Sequence, residues 1–266
     1  MVFPIVGGTQ STGFEIDGSY MIDDAGASGL ARFGNNSRDG NTFTIAFWVK
    51  RTKLGASQLV NSKVEDSGVN SFVFAFDSSD RIDIGGQPAS GSGAGGHRTV
   101  IVTNNRFRDT AAWYHIVIAM DTAQATAANR LKLYVNGVEE TVFDTDSRSS
   151  ISQDSDMGYN SNGVHTIGGY QSSGSANGGF DGLMSHVHFT DGYAYTPSSF
   201  GSTDATTGEW KINTSPSVSY GTTGYWIFKN DAGVTDQSPN SNNWTASGNL
   251  IPTQDNPSNI FNVLNP

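Results

Sequence analysis

The sequence predicts an all-β chain, a two-sheet antiparallel sandwich of jelly-roll type with very little helix, and three observations carry that prediction. The stretch RLKLYVNGVEE, residues 130–140, sets Leu131, Leu133 and Val135 on one face and then places Asn136-Gly137 at the centre of a two-residue turn. Asn tolerates positive φ and Gly adopts it freely, so this is a β-hairpin of fixed register. FTIAFWVK, residues 43–50, alternates Phe43, Ile45, Phe47 and Val49 against Thr44, Ala46, Trp48 and Lys50, the period of a strand with a buried side. Roughly a dozen strand-like runs follow one another with turn residues every eight to twelve positions and no interleaved helical pattern, which excludes a parallel sheet.

The elements follow in chain order. SFVFAF (71–76) and RIDI (81–84) flank the polar turn DSSD and form a second hairpin. GGQPASGSGAGGHRT (85–99) holds too much glycine and serine to supply core and reads as a long loop. Strands resume at TVIVT (99–103), WYHIVIAMD (113–121), the opening hairpin, HTIGGY (165–170), DGLMSHVHFTDG (181–192) and GYWIFKN (224–230). DTAQATAANR (121–130) has alanine but little apolar periodicity and is expected to be a connecting loop. The expected organisation is an N-terminal arm and first strand over 1–19, one sandwich domain over 20–250, and a C-terminal arm over 251–266.

Composition narrows the partners. Of 266 residues, aromatics are 11% and charged residues 15%, the balance of strands and turns, and the length suits one sandwich with a full core. The formal charge of −10, with no basic run, argues against nucleic acid as a partner. There is no cysteine, so the fold stands without disulfides or thiolate metal sites. MVFPIVGGTQ lacks the basic start and long apolar run of a signal peptide, and no segment has the length of a membrane span. A soluble protein is expected.

Four stretches carry a resemblance: FTIAFWVKRTKLG (43–55), RDTAAWYHIVIAMDT (108–122), NRLKLYVNGVEE (129–140) and GGFDGLMSHVHFTDGYAYTPSSFG (178–201). In this order they resemble the laminin-G-like branch of the concanavalin A-like sandwiches. The narrower wording FWVKR, AWYH, HFTDG and SSFG followed by TGEWK resembles structural proteins of tailed bacteriophages, marine phages in particular. The resemblance covers about residues 20 to 250 and implies a jelly-roll fold with a role in the virion. DQSPNSNNWTASGNL (236–250) resembles the opening strand of such a sandwich placed near the end, which implies closure of the chain's own sheet or donation to a neighbour.

Chemical candidates are few. FEIDGSY (14–20) invites comparison with glucanase strands of the same group, because Glu15 and Asp17 share a strand face. Positions 19 and 20 are Ser and Tyr, so the paired carboxylates that glycoside hydrolysis needs are missing and no enzyme is expected. IVGG at 5–8 imitates a trypsin-like N-terminus without its histidine or serine motifs. Among His97, His115, His165, His186 and His188 there is no HExxH; His186 and His188 share a strand face, and no zinc is assigned. Laminin-G-like domains hold calcium at a sandwich rim, and Asp154, Asp156, Asn160, Asn162, Asp181 and Asp191 are candidate oxygens here, read first as solvated turn residues. No cofactor is expected, with calcium left open.

For a carbohydrate site the rim candidates are Tyr159, Asn160, Tyr170 and Asp181, with Tyr193 and Tyr195 nearby: aromatic platforms beside amide and carboxylate groups. Trp48, Trp113, Trp210, Trp226 and Trp244 are expected to divide between core and contacts between subunits. The arms VFPIV (2–6) and NIFNVL (259–264) offer Phe3, Ile5, Ile260, Phe261 and Leu264 as assembly contacts. The expected function is therefore a virion structural protein at the particle surface, a capsid decoration protein that bridges neighbours. Its partners would be the major capsid protein, tail proteins or further copies of itself. The alternative is a tail or fibre module that binds host glycan.

Overall fold

Alternation along the chain is realised as twenty strands among the described residues. The computed structural model describes residues 16, 18–23, 29–34, 40–64, 72–86, 98–160, 163–172, 175–177, 179–248 and 250–257. The first ten strands are β1 (Ser19–Ile22), β2 (Gly29–Gly34), β3 (Thr42–Arg51), β4 (Gln58–Val64), β5 (Phe72–Phe76), β6 (Ile82–Gly86), β7 (Arg98–Thr103), β8 (Tyr114–Asp121), β9 (Leu131–Val135) and β10 (Val138–Glu139). The others are β11 (Phe143–Asp146), β12 (Gly163–Ile167), β13 (Tyr170–Ser172), β14 (Ser175–Asn177), β15 (Gly182–Asp191), β16 (Gly201–Thr203), β17 (Trp210–Ile212), β18 (Tyr225–Ile227), β19 (Thr245–Ser247) and β20 (Ile251–Thr253).

They build two antiparallel sheets packed face to face. The first runs β10-β9-β8-β3-β15-β1-β20, with β18 also paired to β15; the second runs β11-β7-β6-β5-β4-β12-β2-β19. Phe43, Ile45, Phe47 and Val49 of β3 and Phe72, Phe74 and Phe76 of β5 meet in the interior, all fully buried. Phe47 meets Phe74 edge to face at 5.1 Å, a geometry that adds to the roughly 1.5–3 kcal/mol of burying each ring. No helix among the described residues is long and apolar enough to cross a membrane.

The other face of β3 is buried too. Ala46, Val117, Ala119 and Tyr134 pack under Phe200, Tyr195 and Val218, while Trp48 packs with Ile16, Ile212, Trp113 and Trp210. Residues 193–224, which include the β16–β17 ribbon, thus form a third layer over the first sheet. Val187 stays in the core while His188 packs against Phe200 and Tyr220 of this layer and His186 against Trp226 of β18, because β15 bulges between Ser185 and His188, with His186 at φ +47°.

Three elements differ from expectation. The 121–130 connection contains a 3-10 turn, Ala127–Asn129, braced by Arg130, whose guanidinium donates to the carbonyls of Gln124, Ala125 and Ile151. β4 carries Asn61, Ser62 and Lys63 buried in succession, which hid it from any apolar pattern. The 236–250 segment closes the chain's own sheet through β19 on β2, the first of the two outcomes expected for it, but β20 pairs with β1, so 251–253 is sheet edge and not arm. Asp236 organises its start by accepting from the backbone N–H groups of Trp226, Ser238 and Asn242.

Candidate binding cleft

The rim residues expected to gather at one site are dispersed by the fold. Tyr159 is a core residue with no exposure, enclosed by Phe43, Phe72 and Phe189, its hydroxyl 3.0 Å from that of Tyr225. Burial pushes this phenol's pKa up, and the ring presents no face to a sugar. Asn160 is 4% exposed; its Nδ2 donates to Asp191 Oδ1 at 2.8 Å and its Oδ1 accepts from Thr223 Oγ1. Asp191 Oδ2 accepts the backbone N–H groups of Thr222 and Thr223. This network anchors the third layer to the end of β15.

Asp181 stands at the opposite end of β15, where it pairs with Lys53 at 2.9 Å, so it shares no site with Asn160. Tyr170 pairs with Asn177 through its backbone, and its side chain lies outside the described set. Phe3, Ile5, Glu15, Asp17, His97, Asn162, Ile260, Phe261 and Leu264 also lie outside the described residues. Asp154 sits in a turn whose N–H donates to Thr122 O, and Asp156 accepts from Gly158 N–H. Among the described residues no three His, Cys, Asp or Glu side chains gather as a metal site.

An open cleft lies elsewhere, between the outer face of β8 and β9 and the loop 194–196. Its volume is about 290 Å³, and it is lined by Ala119, Asp121, Gln124, Asn129, Lys132, Tyr134, Ala194, Tyr195 and Thr196. Strand parity places the floor: Leu131, Leu133 and Val135 face the core, so Lys132 and Tyr134 face the cleft. The wall is fixed by Thr44, whose Oγ1 donates to Tyr193 O and accepts Tyr195 N–H, both at 2.7 Å. Tyr193 stacks on Tyr195 at 5.7 Å and is 43% exposed.

The polar groups of the cleft are held in place. Asp121 Oδ1 accepts Ala123 N–H at 3.1 Å and Oδ2 accepts from Gln124 Nε2. Lys132 Nζ lies 3.2 Å from Glu139 Oε2, which neutralises its charge locally. Burial and the Glu139 carboxylate raise the pKa of Tyr134, so its hydroxyl stays protonated. Apolar ring surface beside fixed donors and acceptors suits a polyhydroxylated ligand, and a single lining carboxylate does not suit hydrolysis. Parity in RLKLYV already sets Tyr134 on the face away from the core, where it is 9% exposed beneath Tyr195, whereas no spacing joins the two.

A two-sheet antiparallel jelly roll with a preformed polar-aromatic cleft defines a lectin-like sandwich. Residues 24–200 match the laminin-G-type family described as the concanavalin A-like lectin/glucanases superfamily, and the chain belongs to that family. No curated protein matches the chain by sequence. The fold is similar to a native heptameric SAP-like pentraxin from Limulus polyphemus, with a TM-score of 0.55 and 14% identity over 93% of this chain and 100% of that one. It is also similar to a putative carbohydrate binding protein from Bacteroides ovatus, with a TM-score of 0.52 and 15% identity over 91% of this chain and 60% of that one.

Proposed function

We propose that this chain is a structural protein of a tailed-bacteriophage particle, a non-catalytic laminin-G-like sandwich that decorates the capsid and bridges neighbouring subunits. The observation that carries this reading is the meeting of both ends of the sandwich at one corner. Asn256 Nδ2 donates to Ile16 O at 2.8 Å, and Asp255 is tied to Lys50, Trp113 and Ser19. The described ends of the sandwich, Ile16 and Asn256, therefore lie side by side, and the apolar residues of VFPIV and NIFNVL suit burial at a seam between subunits. Partners would be the major capsid protein, tail proteins or further copies of the chain.

The phage-like wording of its motifs and the formal charge of −10, which keeps particles from adhering to one another, support the same reading. Removing residues 258–266, or replacing Phe261 with Asp, is expected to deplete the protein from assembled particles while the isolated domain keeps its thermal midpoint. Undiminished incorporation, or absence of the protein from a particle map, overturns the reading.

A second reading, a tail or fibre module that binds host glycan, is favoured by the Tyr134–Tyr195 cleft. Binding on a glycan array that is lost in Tyr134→Ala supports it, and an array with no selective signal counts against it.

A further inference from the structure

We propose that His115 and Trp210 form an acid-sensitive latch that holds the third layer, and with it the outer wall of the cleft, against the first sheet. Trp210 Nε1 lies 3.0 Å from His115 Nδ1. An indole N–H can only donate, so Nδ1 must carry a lone pair and the imidazole must be neutral. The imidazolium form has a proton on both nitrogens; two N–H groups would then face each other and the bond would be lost.

The surroundings give the cation little help. His115 is 1% exposed, its ring 4.9 Å from Trp48 on one side and 5.9 Å from Trp210 on the other. The charged or titratable groups that face it and its neighbours are His186 and His188 on β15 and Lys229 beyond β18, whose Nζ lies 4.0 Å over Trp226. On the hairpin itself Lys211 is paired with Asp204, and on β3 Lys50 is paired with Asp255. Flanking indoles favour a cation, but burial, followed by the field of His186, holds His115 down at about 3. Opening the layer returns the imidazole to its ordinary value near 6.5, so opening takes up a proton and is favoured as pH falls from there.

The layer moves as a unit with the cleft wall because of its own bonds. Ser219 N–H donates to the Tyr195 hydroxyl at 2.9 Å and Asn213 N–H to Phe200 O at 2.8 Å, whereas Tyr220 OH, 2.9 Å from His188 Nδ1, is a second tie to the first sheet. Ala194, Tyr195 and Thr196 are the wall. Control of ligand release by acid rests on the cleft being a binding site, whereas the latch itself does not.

The test is amide hydrogen exchange on the full chain at about pH 7 and pH 4.5, corrected for intrinsic rates. The latch predicts that protection over 193–224 falls at least about ten-fold at the lower pH while β3 and β5 are unchanged. His115→Gln, whose amide oxygen accepts a hydrogen bond and does not titrate, should clearly shrink the difference and leave only the part due to His188, which Tyr220 covers; Trp210→Phe should show the low protection already at pH 7. Protection of 193–224 that persists in acid, or that is lost together with the core strands, overturns the proposal, as does an unchanged acid response in His115→Gln. Sugar binding is measured separately, so a cleft that binds no glycan removes the release function and leaves the exchange result to decide the latch.

Discussion

Lys50 Nζ and Asp255 Oδ2, far apart in sequence, meet at 2.6 Å, and the same carboxylate accepts Trp113 Nε1 at 2.9 Å. One side chain near the end of the chain thus ties β3 to the segment before β8 at the corner where Ile16 and Asn256 also meet. Asp255→Ala leaves Lys50, 9% exposed, without its partner and is expected to cost about 2 kcal/mol. Asp255→Asn keeps an acceptor for the indole and should cost about half as much. Urea midpoints measure both, and equal stabilities for all three proteins would refute this account of the corner.

Arg51 is fully buried at the far end of β3, with NH2 3.1 Å from Asp80 Oδ1 and NH1 2.7 Å from Phe107 O, its guanidinium 4.4 Å over Phe76. Burial pushes the Asp80 carboxyl up, but Gly55 N–H, Arg108 and Arg51 together hold it below its usual value. Asp80→Asn strands a buried cation and is expected to cost about 3–5 kcal/mol. Arg51→Met combined with Asp80→Asn should recover much of that loss. A double-mutant cycle with additive costs would show that the pair is not coupled.

The YVNG motif has a packing role that its turn chemistry does not announce. Asn136, at φ +48°, accepts His115 N–H through Oδ1 at 2.7 Å, and Gly137, at φ +81°, lies directly under the Trp210 ring. A methyl group at 137 would overlap that indole, and φ there is unfavourable for any L side chain. Gly137→Ala is expected to cost about 2 kcal/mol and to shift tryptophan emission. A variant with native emission and stability would show that the indole has room to move.

What the sequence made legible followed from parity. β3, β8, β9 and β15 were readable because apolar residues alternate over a buried face, and Asn136-Gly137 fixed one turn outright. β4 was not, because Ser62 hydrogen-bonds Thr166 at 2.6 Å inside the structure, a cross-strand partner that no local pattern reveals. Tyr159-Asn160 looks the same in sequence whether it lines a rim or locks a core; only the rings of Phe43, Phe72 and Phe189 around it decide. The cleft joins a strand face to a distant loop through Thr44: Tyr195 of its wall was among the aromatic candidates read from the sequence, Lys132 and Tyr134 of its floor were not, and no local pattern joins the two.

His165 gives the fold a pH dependence whose sign is fixed by its surroundings. Its Nε2 accepts Asn160 N–H at 3.2 Å, and its ring meets Tyr159 edge to face at 5.2 Å. Burial first, then the positive charges of Arg32 and Lys63, lower its pKa to about 3, against about 6.5 in the unfolded chain. The unfolded state therefore binds the proton first, and the stability this group contributes is complete above about pH 6.5 and lost as pH falls towards 3. Each such imidazole adds up to about 1.4 kcal/mol per pH unit to that slope. His165→Gln retains an acceptor for Asn160 and removes the titration, so its unfolding free energy should vary less steeply between about pH 6 and 4 by roughly that amount. Parallel curves for the two proteins in chemical denaturation would mean that His165 does not titrate between the folded and unfolded states.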